Sequence, residues 1–209
     1  VTILEVRTQA SDDDGYETSD GATLNTTEAL TPGVTSHSNA ALRKFFLARF
    51  PGITVAAGST IDAAYIELKQ GGSGDDMHGD IVANDVDDAA NLTDEADVVS
   101  RVRTTATVAW NADNVGTDAV IQSPEIKTVV QEVIDRAGWA SGQALAIIID
   151  GHTSPTAVFR IRTFDQAAGT APLLHIEYTE GGAGGDPEGP MVGGKLVGGG
   201  LLIKGRLVG

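Results

Sequence analysis

Short runs in which apolar and polar residues strictly alternate recur along the first 180 positions of this chain. A run of that period has one dry and one wet face only as a β-strand. Thr2–Arg7 alternates Thr, Leu and Val against Ile, Glu and Arg. Ile61–Gln70 puts Ala64, Ile66 and Leu68 on one face and Tyr65, Glu67 and Lys69 on the other. Ala157–Phe164 sets Phe159 and Ile161 against Arg160 and Arg162, and Leu173–Thr179 sets Leu174, Ile176 and Tyr178 against His175 and Glu177. Phe45–Phe50 is short and aromatic, and Val102–Trp110 is rich in Thr and Val. Ala144–Asp150 is apolar almost throughout. That is the pattern of a central strand covered on both faces. Gly, Asp and Pro clusters separate these runs, so the pattern predicts an all-β fold of the sandwich type.

One segment has a different period. Ser123-Pro124-Glu125 reads as a capping serine, a proline in the first turn and an acid near a helix N-terminus. Ile126, Val129, Val130, Val133 and Ile134 then recur at helical spacing, and Gly138 stands where a helix stop is expected. One short helix, about 124–136, is predicted across an end or face of the sandwich.

Composition divides the chain. The 209 residues carry 14 bases and 29 acids, a formal charge of −15, with 26 glycines and no cysteine. Residues 181–209 hold 12 of those glycines and a charge of +1, which leaves −16 on the rest. The run Glu180-Gly181-Gly182-Ala183-Gly184-Gly185 reads as a linker. The expected organisation is a body, 1–180, and a Gly-rich tail, 181–209, with short strands. In the tail Lys195-Leu196-Val197-Gly198 recurs as Arg206-Leu207-Val208-Gly209, with Leu201, Leu202 and Ile203 between. Pure linkers rarely carry so much Leu, Ile and Val. Lys195, Leu196, Val197, Leu201, Leu202, Ile203, Arg206, Leu207 and Val208 are the candidate assembly or anchoring elements, as strands that add to a neighbour's open edge or wrap around a symmetry axis.

The charge argues against nucleic acid as a partner. No apolar run approaches the ~20 residues of a membrane-spanning helix. Without cysteine there is neither a disulfide framework nor a thiolate zinc site. The chain begins at Val1, and the start is expected to be a processed or artificially defined end. No cofactor is called for by any motif. Nine acids lie in the 23 residues 75–97, which hold no Lys or Arg. Two readings follow: a solvated acidic loop, which the absence of an EF-hand spacing favours, and a calcium site at Asp85, Asp87 and Asp88. His37, His78, His152 and His175 show no paired metal-binding spacing, and His175 reads as a surface residue. There is no GxSxG elbow and no Walker loop; Gly71-Gly72-Ser73-Gly74 reads as a hairpin loop. No catalytic set can be assembled, so a non-enzymatic protein is expected. Among ten aromatics, Trp110 and Trp139 read as core, and Tyr16 and Tyr65 as the exposed rings that could meet a ligand such as a surface glycan.

Several stretches also carry a family resemblance. They are Ala48–Ile61 followed by Ala64-Tyr65-Ile66-Glu67-Leu68, Ser100–Ala106 running to Val108-Ala109-Trp110, the helical segment Ser123–Ser141, and the closing Ala171–Tyr178. Together they resemble the DNRLRE-like jelly-roll domains of secreted bacterial proteins and some phage virion proteins, over most of 1–180. The motif that names the family does not occur here. The resemblance implies a jelly-roll sandwich, similar to carbohydrate-binding modules, and ligand binding or adhesion rather than catalysis. It carries over no site residues. The tail is similar to the C-termini of some phage structural proteins. The expected function is a structural protein of a virion or extracellular assembly, a homo-oligomer through its tail. The alternative is a carbohydrate-binding or adhesion module of a secreted bacterial protein.

Overall fold

A computed structural model of the chain describes residues 1–26, 30–32, 44–71, 76–113, 115–152 and 159–181. The expected strands of the tail lie outside the described residues. In chain order the strands are β1 (Thr2–Arg7), β2 (Asp14–Thr18), β3 (Leu24–Asn25), β4 (Leu30–Pro32), β5 (Lys44–Phe50), β6 (Thr60–Lys69), β7 (Met77–Ala83), β8 (Val108–Ala112), β9 (Val120–Gln122), β10 (Leu145–Gly151), β11 (Arg160–Arg162) and β12 (Leu173–Thr179). Two helices interrupt them, α1 (Asp97–Ser100) and α2 (Lys127–Ile134).

The strands form two antiparallel sheets, ordered β1-β12-β6-β9 and β3-β2-β5-β10-β7-β8, and β4 pairs with β11 apart from them. Take β1, β5, β6, β7, β8, β9, β10 and β12 as strands one to eight. The sheets then read 1-8-3-6 and 2-7-4-5, the double Greek key of a jelly roll. The β2–β3 hairpin is an insertion that widens the second sheet. The apolar face of each sheet meets the other: Ile61, Ala64, Ile66 and Leu68 from β6 and Leu174 and Ile176 from β12 pack with Phe46, Ala48 and Phe50 from β5 and Ile147 and Ile149 from β10. Trp110 and Trp139 join this core, and the Trp139 Nε1 donates to the Val55 carbonyl at 3.0 Å.

β10 lies between β5 and β7, and its other face is buried as well. Ala146 and Ile148 point away from the main core into a second cluster with Leu47, Val82, Leu92 and Val98. The lid of that cluster is the segment 84–106, folded over the outside of the six-stranded sheet.

Several expectations need correction. Helix α2 is shorter than 124–136 because its approach stays extended beside β6. The Ser123 and Ile126 amides donate to the Ile66 and Ala64 carbonyls, and the Ser123 hydroxyl accepts from the Ile66 amide instead of capping the helix. Glu125 serves both elements, accepting from the Ala64 amide of β6 at 2.7 Å and from the Lys127 amide at 2.9 Å. Gly138 stands four residues beyond the helix, where a Cβ would collide with the Asp87 carboxylate. Val102–Trp110 is a strand only from Val108; Val102 is 61 % exposed. β6 and β7 belong to different sheets, so they do not pair as the hairpin expected at Gly71–Gly74, of which 72–74 lie outside the described residues.

The apolar stripe of α2, Val129, Val130, Val133 and Ile134, is fully buried in the main core. Ile134→Ala is expected to cost about 2–5 kcal/mol by urea denaturation, while Thr128→Ala on the exposed side stays within about 0.5 kcal/mol.

Candidate functional site

Four acids of the acidic stretch, Asp85, Asp87, Asp88 and Asp97, fasten the covering segment. Asp85 and Asp87 both bind the Arg136 guanidinium just past α2, with Nε to Asp87 at 2.7 Å. Asp88 accepts from the Ala144 amide at 2.8 Å. The three candidate calcium ligands thus face a cation and the start of β10. No three His, Asp or Glu side chains among the described residues come together to hold a metal ion. Arg101 binds Asp97 at 2.7 Å and the Asn91 carbonyl at 3.0 Å. Burial pushes the Asp97 carboxyl up, but the hydrogen bonds from Arg101 and Thr93 outweigh it and hold the group below its ordinary value. Arg103 binds Asp150 on β10 and three carbonyls of the cover, with its guanidinium 5.6 Å from the Phe45 ring centre. Arg49 on β5 binds Asp13 at 2.6 Å and the Ala89 carbonyl at 2.6 Å. A shallow groove of about 730 Å³ runs along the cover, edged by Asp88, Asn91, Asp94, Asp97 and Arg101.

Besides Asp13, two further carboxyls are buried under or beside this lid. Glu17 of β2 lies on the outer side, accepting from the Val99 amide at 2.7 Å, and burial raises its pKa. Asp14 lies on the inner side at the sheet edge. Its Oδ2 accepts from the Thr8 hydroxyl at 2.7 Å and the Phe164 amide at 3.0 Å, while Oδ1 has no hydrogen-bond partner among the described residues. Burial pushes Asp14 up from 3.8 to about 7, against the two hydrogen bonds. The folded protein therefore keeps Asp14 protonated well above the pH at which an ordinary carboxyl ionises.

Tyr16 was expected to be exposed and is not. It is 6 % exposed and stands directly opposite Phe46, on the core side of β2. Burial of the strand face, set by its pairing with β5, removes it as a ligand platform. Tyr65 is half-buried on the outer face of the four-stranded sheet. Here the ladders align Glu5, His175 and Tyr65 in one row and Ile3, Glu177 and Ala63 in the next. The Tyr65 and His175 rings stack at 4.4 Å with 9° between their planes. His175, read from sequence as a surface residue, is 6 % exposed, sandwiched by Tyr65 with Glu5 3.1 Å from Nδ1 and Glu177 3.4 Å from Nε2. Burial and then the charges of Glu67, Glu5 and Glu177 raise the Tyr65 pKa. The result is a flat face with one aromatic pair and three carboxylates, bordered by Arg7 and Lys69. Alternation placed His175 with Glu177 on one face, but the register that adds Glu5 and Tyr65 is a property of three strands together. The assembly candidates Lys195, Leu196, Val197, Leu201, Leu202, Ile203, Arg206, Leu207 and Val208 lie outside the described residues.

For Asp14 the sign of the pH dependence follows from its raised value. Between about pH 4 and 7 the unfolded chain releases this proton and the folded chain keeps it, so stability falls as pH rises through that window. Asp14→Asn, an isostere of the neutral acid, is expected to remove up to about 4 kcal/mol of that fall, read as the difference between the two proteins' urea stabilities at pH 4 and pH 8. Equal slopes for the two proteins would contradict a buried neutral Asp14.

No protein-family model matches the chain, and no curated protein matches its sequence.

Proposed function

We propose that this chain is a non-enzymatic structural protein of a virion or extracellular assembly, with residues 181–209 as the assembling or anchoring element. Its most concrete form is a phage virion component: a decoration, fibre or appendage protein. The observation that supports this most directly is the contrast between body and tail. The body carries −16 and uses Arg49, Arg101, Arg103 and Arg136 to close its own six-stranded sheet. The tail carries Lys195, Lys204 and Arg206 among short Leu, Ile and Val runs. An apolar, basic segment attached to an acidic jelly roll suits docking between copies. Jelly rolls also serve widely as shells and lectins, so the fold accommodates this reading without choosing it. Light scattering is expected to give an oligomer for the full chain and a monomer for a chain ending at Glu180. The same mass for both would remove the tail from the assembly.

A carbohydrate-binding or adhesion module is the second reading, and Tyr65 on the open sheet face is what favours it. It expects glycan-array binding that Tyr65→Ala abolishes. No binding by the full chain, or binding indifferent to that substitution, counts against it.

A further inference from the structure

We propose that the free edge of β1 is where the tail of a second copy adds as an extra strand, through residues 201–208. This rests on the reading of the tail as the assembling element and names the surface that receives it. β1 is the longest edge strand: it has six residues, against five in β8, three in β9 and two in β3, and among the described residues it pairs on one side only, with β12. An uncovered edge is a template for another strand unless charges, a proline or a bulge blunt it, and the two charges of β1, Glu5 and Arg7, both lie on its outer face with Ile3. Thr2-Ile3-Leu4-Glu5-Val6-Arg7 has no lysine or proline, and its ladder with β12 is unbroken from Thr2 to Arg7. It also exposes apolar surface: Ile3 is 61 % exposed, one of the five large exposed hydrophobic residues of the described chain.

The side chains beside this edge match the tail in charge and period. Glu5 and Glu177 stand on the outer face next to Ile3. In an extended strand, Leu202, Lys204, Arg206 and Val208 share one face, and Leu201, Ile203 and Leu207 share the other. Laid along β1 with one cation opposite Glu5 and the other opposite Ile3, the first set puts one cation beside Glu5 and the second in the row that continues to Glu177 on β12, and keeps both from standing opposite Arg7. The second set continues the apolar inner face beside Leu4, which is half-buried and packs against the core. One-residue slips reverse both matches, so the register is specified by chemistry at both faces. Backbone pairing supplies affinity and the alternate side chains supply selectivity, as in other strand-addition complexes. The chain leaves the sheet beside the N-terminal end of β1. Gly181 packs against Gly58, at the end of β6 where Tyr178 pairs with Thr2.

The test uses the full chain and measures mass by light scattering, with circular dichroism to confirm folding. Lys204→Glu with Arg206→Glu, and separately Glu5→Lys with Glu177→Lys, are each expected to lose the oligomer, and all four changes together to regain it. In a second arm, an Ile3→Cys chain mixed with a Leu202→Cys chain is expected to form a disulfide between chains under mild oxidation. An Ala109→Cys chain, on the β8 edge, is expected to form none with the same partner; the protein has no cysteine of its own to interfere. If truncation after Glu180 gives a monomer but the Glu5/Glu177 reversal keeps the oligomer and Ile3→Cys does not cross-link, the tail docks elsewhere and this inference fails alone. If Ile3→Cys links to Leu202→Cys only when both sit in one chain, the edge is filled by the chain's own tail and exchange is overturned. If truncation leaves the mass unchanged, both the inference and the reading beneath it fall.

Discussion

A strand that is apolar on both faces needs two roofs, and β10 is that strand. Ile147 and Ile149 are buried against the four-stranded sheet, and Ala146 and Ile148 face the other way. The jelly roll supplies the first roof by its topology. Nothing in the two sheets supplies the second, so the segment 84–106 must leave the ladder after β7 and fold back across the outside before β8 begins. Leu92 and Val98 then fill the space above Leu47, Val82 and Ile148. Burying such side chains contributes roughly 1.5–3 kcal/mol each, which is large beside the net stability of a domain.

That cover has little regular structure of its own, and ion pairs give it a defined position. Arg49 and Arg103 reach it from β5 and from its own C-terminal end, Arg101 ties its middle together, and Arg136 grips its first acids from beyond α2. Partly buried arginine–carboxylate contacts of this kind fix geometry more than they add net stability, since desolvation offsets much of the attraction. The acids that looked like an excess of negative charge are in part the anchors of this layer. Asp80 is similar, held by His152 at 2.7 Å.

With one sheet sealed by its own chain, the surface left open among the described residues includes the outer face of the four-stranded sheet and its β1 edge. It carries the Tyr65–His175 stack, three carboxylates and exposed Ile3. Each proposed activity uses this surface differently. Strand addition uses the backbone edge and the charges, whereas glycan binding would use the aromatic pair.

Residue pattern alone determined several strands: Thr2–Arg7 and Leu173–Thr179 appear at those bounds, and the alternating Ile61–Gln70 run and the apolar Ala144–Asp150 run are shifted by one residue at most, whereas the Ala157–Phe164 run is strand at Arg160–Arg162 within the described residues. Periodicity is written locally, so it survives reading without a partner. It also placed Trp110 and Trp139 in the core. Other features depend on neighbours. Asp14–Thr18 is a strand although two of its five residues are acids, because pairing with β5 and lids from Thr8, Phe164 and Val99 make room for them. Tyr16 is buried by that same pairing. Val102–Ala106 has strand composition, yet Arg101, Arg103 and Glu132 hold it in the cover, with Glu132 accepting from the Thr105 and Ala106 amides. Ser123 has the identity of a helix cap, but Ile66 reaches its hydroxyl first. Local pattern thus decided which faces are dry. Only the tertiary structure decided which strands stand side by side, and therefore which polar groups meet, because that depends on register between segments up to 170 residues apart.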